Sequence, residues 1–159
     1  ASDALIKAGC DVLAQHCDTT APQEASENNG TWAIGYNSDM SKETPKATLT
    51  SVIWNWSAYY TSYISSIINA SYSGENYYGG MKESLVSLTE LSSLCDDQTA
   101  EKVKEAKEKI VSGDFGVFDG VLKTNTGDSI GEEGKTLDDA KITGEINWYY
   151  HNVSELKWK

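Results

Sequence analysis

The chain has no arginine. All 13 of its basic residues are lysine, set against 24 acidic ones, for a net charge of −11 over 159 residues. Neutralising phosphate takes a basic face, and reading base edges favours arginine, so nucleic acid is excluded as a partner. An anionic lipid surface would likewise repel so acidic a chain. Long apolar runs are missing too: none approaches the roughly 20 residues that a membrane-spanning helix needs. No basic–apolar–small leader opens the sequence. It opens on a helix pattern, Ser2 to Lys7, which suggests a mature piece or a fragment of something longer.

Cysteine is scarce. Cys10, Cys17 and Cys95 are odd in number and cannot all pair within the chain, and no C-x-x-C occurs. His16-Cys17-Asp18 offers too few ligands for a structural zinc site. Free, mostly buried thiols are expected, with no metal and no cofactor. Also absent are internal repeats, a G-x-S-x-G nucleophile elbow and a carboxylate cluster spaced for a catalytic metal. An enzyme, such as a small α/β hydrolase, is therefore the weakest reading.

What is present is an alternation of helix and strand patterns. Ala4 to Ala8 is helical and Gly9 stops it. Asp11 to Gln15 reads as a strand, Pro22 suits the first turn of a helix over Gln23 to Asn28, and Asn29-Gly30 turns the chain into a strand over Thr31 to Gly35. Thr48 to Trp54 is a third extended segment. A helix over Ser57 to Ala70 follows, with Tyr60, Ile64, Ile67 and Ile68 on one face. Ser84 to Leu88 alternates like an edge strand. Asp96 or Asp97 caps a helix over Thr99 to Val111 that turns Ala100, Val103, Ala106 and Ile110 inward. Phe115 to Leu122 reads as a strand leading into a hairpin turn at Thr124 to Gly127, Thr136 to Asp139 as a helix start, and Ile146 to Tyr150 as an aromatic close. The whole predicts an α/β fold: a Rossmann-like parallel sheet, covered by helices on both faces.

In such sheets the ligand lies at the carboxyl ends of the strands. Here the first strand ends in His16-Cys17-Asp18-Thr19-Thr20, the second in Gly35-Tyr36-Asn37-Ser38-Asp39-Met40, and the third in Trp54-Asn55-Trp56. Short polar side chains beside indole plates suit capture of a small, flat, polar molecule without chemistry on it. His16, Asp18, Thr19, Asn37, Asp39 and Trp54 are the candidate ligand-binding residues.

Ala8 to His16, Ile34 to Met40, Leu49 to Trp56, Gly79-Gly80-Met81-Lys82 and Trp148-Tyr149, taken in that order, resemble the basic membrane protein family. These are lipoprotein substrate-binding components of ABC importers and include purine nucleoside receptors. The resemblance covers the second half of such a receptor and implies the second lobe of a type I periplasmic-binding-protein fold. It implies residues 1–54 as lobe core and hinge, residues 55–76 as a helix belonging to the first lobe, residues 77–159 as the rest of the second lobe with a C-terminal hairpin and tail, and a first lobe outside this chain. It further implies a purine base or nucleoside as ligand and an ABC permease as partner. The location would be extracytoplasmic, at the cell membrane or in the periplasm, through a lipid anchor that this chain lacks; Cys10 lies inside an α/β unit and is not the lipidated cysteine. Where nucleoside-binding members commonly carry Asp, this chain has Asn37, and where they commonly carry Lys, it has Trp54. A cation is exchanged for a π-surface, which favours a free purine base stacked on an indole. The stripe of Tyr60, Ile64, Ile67 and Ile68, without a first lobe to cover it, would drive self-association. The alternative of another class is a sensory or regulatory ligand-binding domain of the same fold.

Overall fold

The computed structural model describes residues 1–154, so the last five residues of the expected tail lie outside the described ones. The chain forms two compact units, one over residues 1–107 and a second that begins at Glu108.

The first unit is built on a four-stranded sheet in chain order. Helix α1 (Ser2–Lys7) leads into β1 (Val12–Ala14), α2 (Ala21–Asn29), β2 (Trp32–Asn37) and β3 (Thr48–Trp54); helix α3 (Trp56–Ile68) then precedes β4 (Val86–Leu88). β1 pairs with β2 and β2 with β3 in parallel, and β4 closes the edge antiparallel to β3. The α/β fold with a parallel sheet and flanking helices is thus present. Pro22 sits in the first turn of α2, and Gly30, left-handed at φ +67°, ends it.

β2 runs two residues beyond its expected end, because the ladder to β3 continues through Tyr36↔Val52 and Asn37↔Ile53. Ala33 and Gly35 form its buried face, and Ile34 and Tyr36 its half-buried one. The expected double cover is therefore full on one face and partial on the other. α2 lies on the full face, where Gly35 is required by close packing: a Cβ there would collide with Ser51 Oγ and crowd Gln23 Nε2 at 3.3 Å.

The buried core of this unit is thin and largely polar. Leu13, Ala33, Met40, Ala47 and Leu85 are joined by Gln23, Ser26, Thr44, Thr48, Thr50 and Ser51. Hydroxyls inside it are mostly satisfied: Thr44 Oγ1 and Thr48 Oγ1 share a hydrogen at 2.7 Å, and Thr50 Oγ1 donates to the Thr89 carbonyl at 3.0 Å. α3 buries none of its residues; Tyr60, Ile64 and Ile67 are each more than half exposed and Ile68 is 77% exposed. The thiols depart from expectation. Cys17 is exposed and Cys10 and Cys95 are half-buried, because each sits in a loop rather than on a core face.

Helix α4 (Asp97–Ser112) begins as expected, with Asp96 accepting from the Thr99 amide at 2.7 Å. Ala100, Val103 and Ile110 are half-buried, but Ala106 is exposed. In the second unit, the expected strand over Phe115 to Leu122 is absent. A turn occupies residues 117–118, Asp119 makes a lone bridge to Thr136, Gly120 bends the chain at φ +73°, and a strand forms only at β5 (Leu122–Lys123), which forms a hairpin with β6 (Ser129–Ile130). The turn between them lies at Thr124 to Gly127, where Gly127 donates to the Thr124 carbonyl at 3.1 Å. α5 (Asp139–Gly144) starts at the Thr136 to Asp139 signal, capped by Asp138, which accepts from the Lys141 amide at 2.8 Å. The aromatic close joins the hairpin through a bridge between Thr124 and Tyr150.

Candidate functional site

Parallel pairing puts the carboxyl ends of β1, β2 and β3 on one edge of the sheet; Asn37 and Trp54 are the last residues of β2 and β3, and the loops after β1 and β2 carry the other candidates. Asn37 Nδ2 donates to Asp18 Oδ1 at 3.1 Å, so the loops after β1 and β2 meet there. Asn37 reaches across from a left-handed backbone, φ +71°, a conformation that Asn adopts more readily than most residues. His16, in the loop after β1, lies with its ring 4.2 Å from that of Tyr36 near the end of β2. The two strand-end loops thus form one shelf of imidazole, carboxylate and amide, exposed to solvent.

Thr19 and Asp39 hold the shape of these loops. Thr19 Oγ1 accepts from the Ala21 amide at 3.3 Å at the entry to α2. Asp39 Oδ1 accepts from the Ser41 amide at 3.0 Å, an Asx turn. Hydrogen bonds from the Ser41 side chain and amide favour the charged form and hold the Asp39 carboxyl below its ordinary 3.8. Asp39 is therefore an anion at neutral pH.

Trp54 is the last residue of β3 and Trp56 the first of α3, yet their rings stack, with centroids 5.4 Å apart and planes 19° from parallel. Trp54 is half-buried and Trp56 half-exposed. Tyr60 extends the ladder, 6.3 Å from Trp56. Among the described residues no hydrogen bond or ring contact joins Trp54 to His16, Asp18, Thr19, Asn37 or Asp39. The structure thus joins Asp18 to Asn37, sets His16 against Tyr36, leaves Thr19 and Asp39 bonded within their own loops, and places Trp54 at the adjacent strand end, stacked with the first residue of α3.

Sequence reasoning missed the side chains beneath this shelf. Gln15 and Gln23 link the two loops from below, and Tyr36 supports His16. A glutamine at a strand end and another on a polar helix carry no periodic signal; only the packing of α2 on β2 reveals them. A concavity of about 490 Å3 lies elsewhere, in the second unit, lined by residues that include Glu132, Lys135, Lys141 and Trp148. Its mixed charges are partly self-neutralised through the Lys135–Glu132 ion pair.

Residues 1–119 match the family described as Bmp, the PnrA-like ABC transporter substrate-binding proteins. A purine-binding protein of Brucella abortus is 32% identical over 155 residues, which is 98% of this chain and 44% of that protein. A putative ABC transporter glucose-binding protein of Haloferax volcanii is 31% identical over 76% of this chain and 31% of its own length. The chain thus spans less than half the length of these relatives. Two solved structures share the fold: a transcriptional activator of the comK gene from Bacillus halodurans, with a TM-score of 0.63 at 24% identity over 71% of this chain and 41% of that one, and an ABC transporter solute-binding protein from Conexibacter woesei, with a TM-score of 0.53 at 18% identity over 74% and 40%.

Proposed function

The chain belongs to the PnrA-like ABC transporter substrate-binding family, and from that premise we propose that it supplies one wall of a binding site for a purine base or nucleoside and carries out no chemistry on it. The observation that carries this reading is the Asn37–Asp18 bond, which gathers donors and acceptors at the carboxyl edge of a parallel sheet. A purine edge offers both kinds of group, and a purine face suits an indole. The purine-binding protein of Brucella abortus, alike over nearly the whole chain, supports the same ligand class.

We extend this proposal from the family membership to the whole protein. The working protein is an extracytoplasmic receptor that hands its ligand to an ABC permease, held at the membrane by a lipid anchor. Among the described residues no helix is long and apolar enough to cross a membrane. Its ligand is enclosed between two lobes, of which residues 1–54 and 77–159 contribute to one. The α3 stripe faces the other lobe in the whole receptor, and in this chain alone it pairs with a second copy.

Calorimetry on the full-length receptor with adenine, hypoxanthine, guanosine and glucose tests the ligand class. Binding of a purine with no heat from glucose is the expected result; glucose binding without purine binding overturns it. The isolated chain offers half the enclosure and should bind adenine no tighter than about millimolar.

A further inference from the structure

We infer that Gln23 is a positioning residue for the ligand: through Gln15 it fixes the loop that carries His16, Asp18 and Thr19 in place against the loop that carries Asn37 and Asp39. This rests on the binding reading above. Gln23 is fully buried on the sheet-facing side of α2, a place where an apolar residue would pack as well. A buried amide is costly unless bonded. Gln23 Oε1 accepts from Gln15 Nε2 at 3.1 Å, and Gln23 Nε2 lies 3.1 Å from Met40 Sδ.

Gln15 passes this anchorage to the first loop. Its Nε2 also donates to the Thr19 carbonyl at 2.9 Å, and its Oε1 accepts from the Cys17 amide. One side chain thus closes the loop over residues 16–19 on both flanks of Asp18. Met40 does the same for the second loop. It is 5% exposed, its amide is held by Ser51 Oγ at 3.2 Å, and Gln15 Nε2 also approaches its sulfur at 3.4 Å. One buried node therefore ties together the ends of β1 and β2, the body of β3 and the face of α2. None of these bonds belongs to a helix or sheet ladder, and two of those made by Gln15, at Cys17 and Thr19, end on the loop that carries Asp18. Loops ordered before the ligand arrives cost less to order on binding, and a satisfied buried network selects one arrangement.

The test uses the full-length receptor with Gln23→Met, Gln23→Glu and Gln15→Leu, read by amide hydrogen exchange without ligand and by calorimetry with adenine. Gln23→Met keeps the volume but removes the acceptor. It should keep the unfolding midpoint, speed exchange at the Cys17 amide, and weaken adenine about tenfold, the loss of one hydrogen-bond constraint. Gln15→Leu should do the same. Gln23→Glu keeps an acceptor for Gln15 in either protonation state and should restore both exchange and affinity. Unchanged exchange and affinity in Gln23→Met overturn the inference, as does a Gln23→Glu protein as impaired as Gln23→Met. If Gln23→Met does not fold, Gln15→Leu decides, since Gln15 is only half-buried. A wild-type receptor that binds no adenine, but whose Cys17 amide is released by Gln23→Met, keeps the brace and sinks the purine reading instead.

Discussion

The first unit holds two helices that invert the usual relation between composition and burial. α2 is Ala-Pro-Gln-Glu-Ala-Ser-Glu-Asn-Asn, polar nearly throughout, yet it lies on the sheet and buries Gln23 and Ser26 completely. α3 carries Trp, four aromatic or aliphatic residues along one stripe and no charge, yet buries nothing. The contrast separates two kinds of amphipathicity. A helix packed on a sheet made of alanine, glycine and serine has room only for small or hydrogen-bonded groups; its fit comes from close approach at Gly35 and from satisfied amides, although Ser26 Oγ finds no partner among the described residues. A helix with exposed isoleucines advertises a surface meant for something else.

The largest test of this contrast acts on α3. In the 159-residue chain, the paired change Ile64→Asp and Ile68→Asp should abolish self-association, weakening it at least about hundred-fold, since each buried isoleucine is worth roughly 1.5–3 kcal/mol. Sedimentation of the parent and the variant over a concentration series decides it; a parent that is monomeric throughout removes the premise. On the α2 side, Gly35→Ala should cost about 1–3 kcal/mol of stability, because the new methyl forces the buried Ser51 side chain to shift and crowds Gln23. Urea unfolding that matches the parent would show that α2 is loosely held.

Trp54 lies between the two regimes, on the strand end of one and stacked with the first residue of the other. In the full-length receptor Trp54→Ala should weaken adenine by about 1–3 kcal/mol; calorimetry that shows no loss assigns this indole to the α3 ladder alone. The smallest effect concerns Asp39. Its folded carboxyl lies below the ordinary value, so its contribution to stability is present above about 3.8 and is lost as pH falls through the lowered folded value. The group is almost fully exposed, so screening keeps the contribution small. Asp39→Asn should flatten that acid limb of the stability profile, and an unchanged limb would place the acid sensitivity elsewhere.

How much of this was legible in the sequence varies with the physics of each element. β3 was readable to the residue, because Thr48 to Trp54 combines β-branched residues with a clear stop at Asn55. The starts of α2 and α5 were readable from Pro22 and Asp138, which act locally. The segment from Phe115 to Val121 misled: apolar residues suggested a strand, but turns closed by the Asp119–Gly116 contacts hold it instead. The meeting of Asp18 with Asn37 followed from parallel topology, since the loop after β1 and the end of β2 lie at the same edge of the sheet. The Gln15–Gln23 node did not, because hydrogen bonds between residues eight apart leave no periodic trace.

The left-handed backbone of Asn37 restricts what evolution can write at that position. With φ at +71°, β-branched and bulky residues are strained, and the small set that fits comfortably is Asn, Asp and Gly. Within that short alphabet the exchange of Asn for Asp leaves shape untouched and reverses polarity. The amide that donates to Asp18 becomes a second anion opposite it, and the clasp between the two loops becomes a repulsion that a cation or a ligand donor must bridge. A single-letter change at this position therefore sets whether the two loops clasp or repel each other.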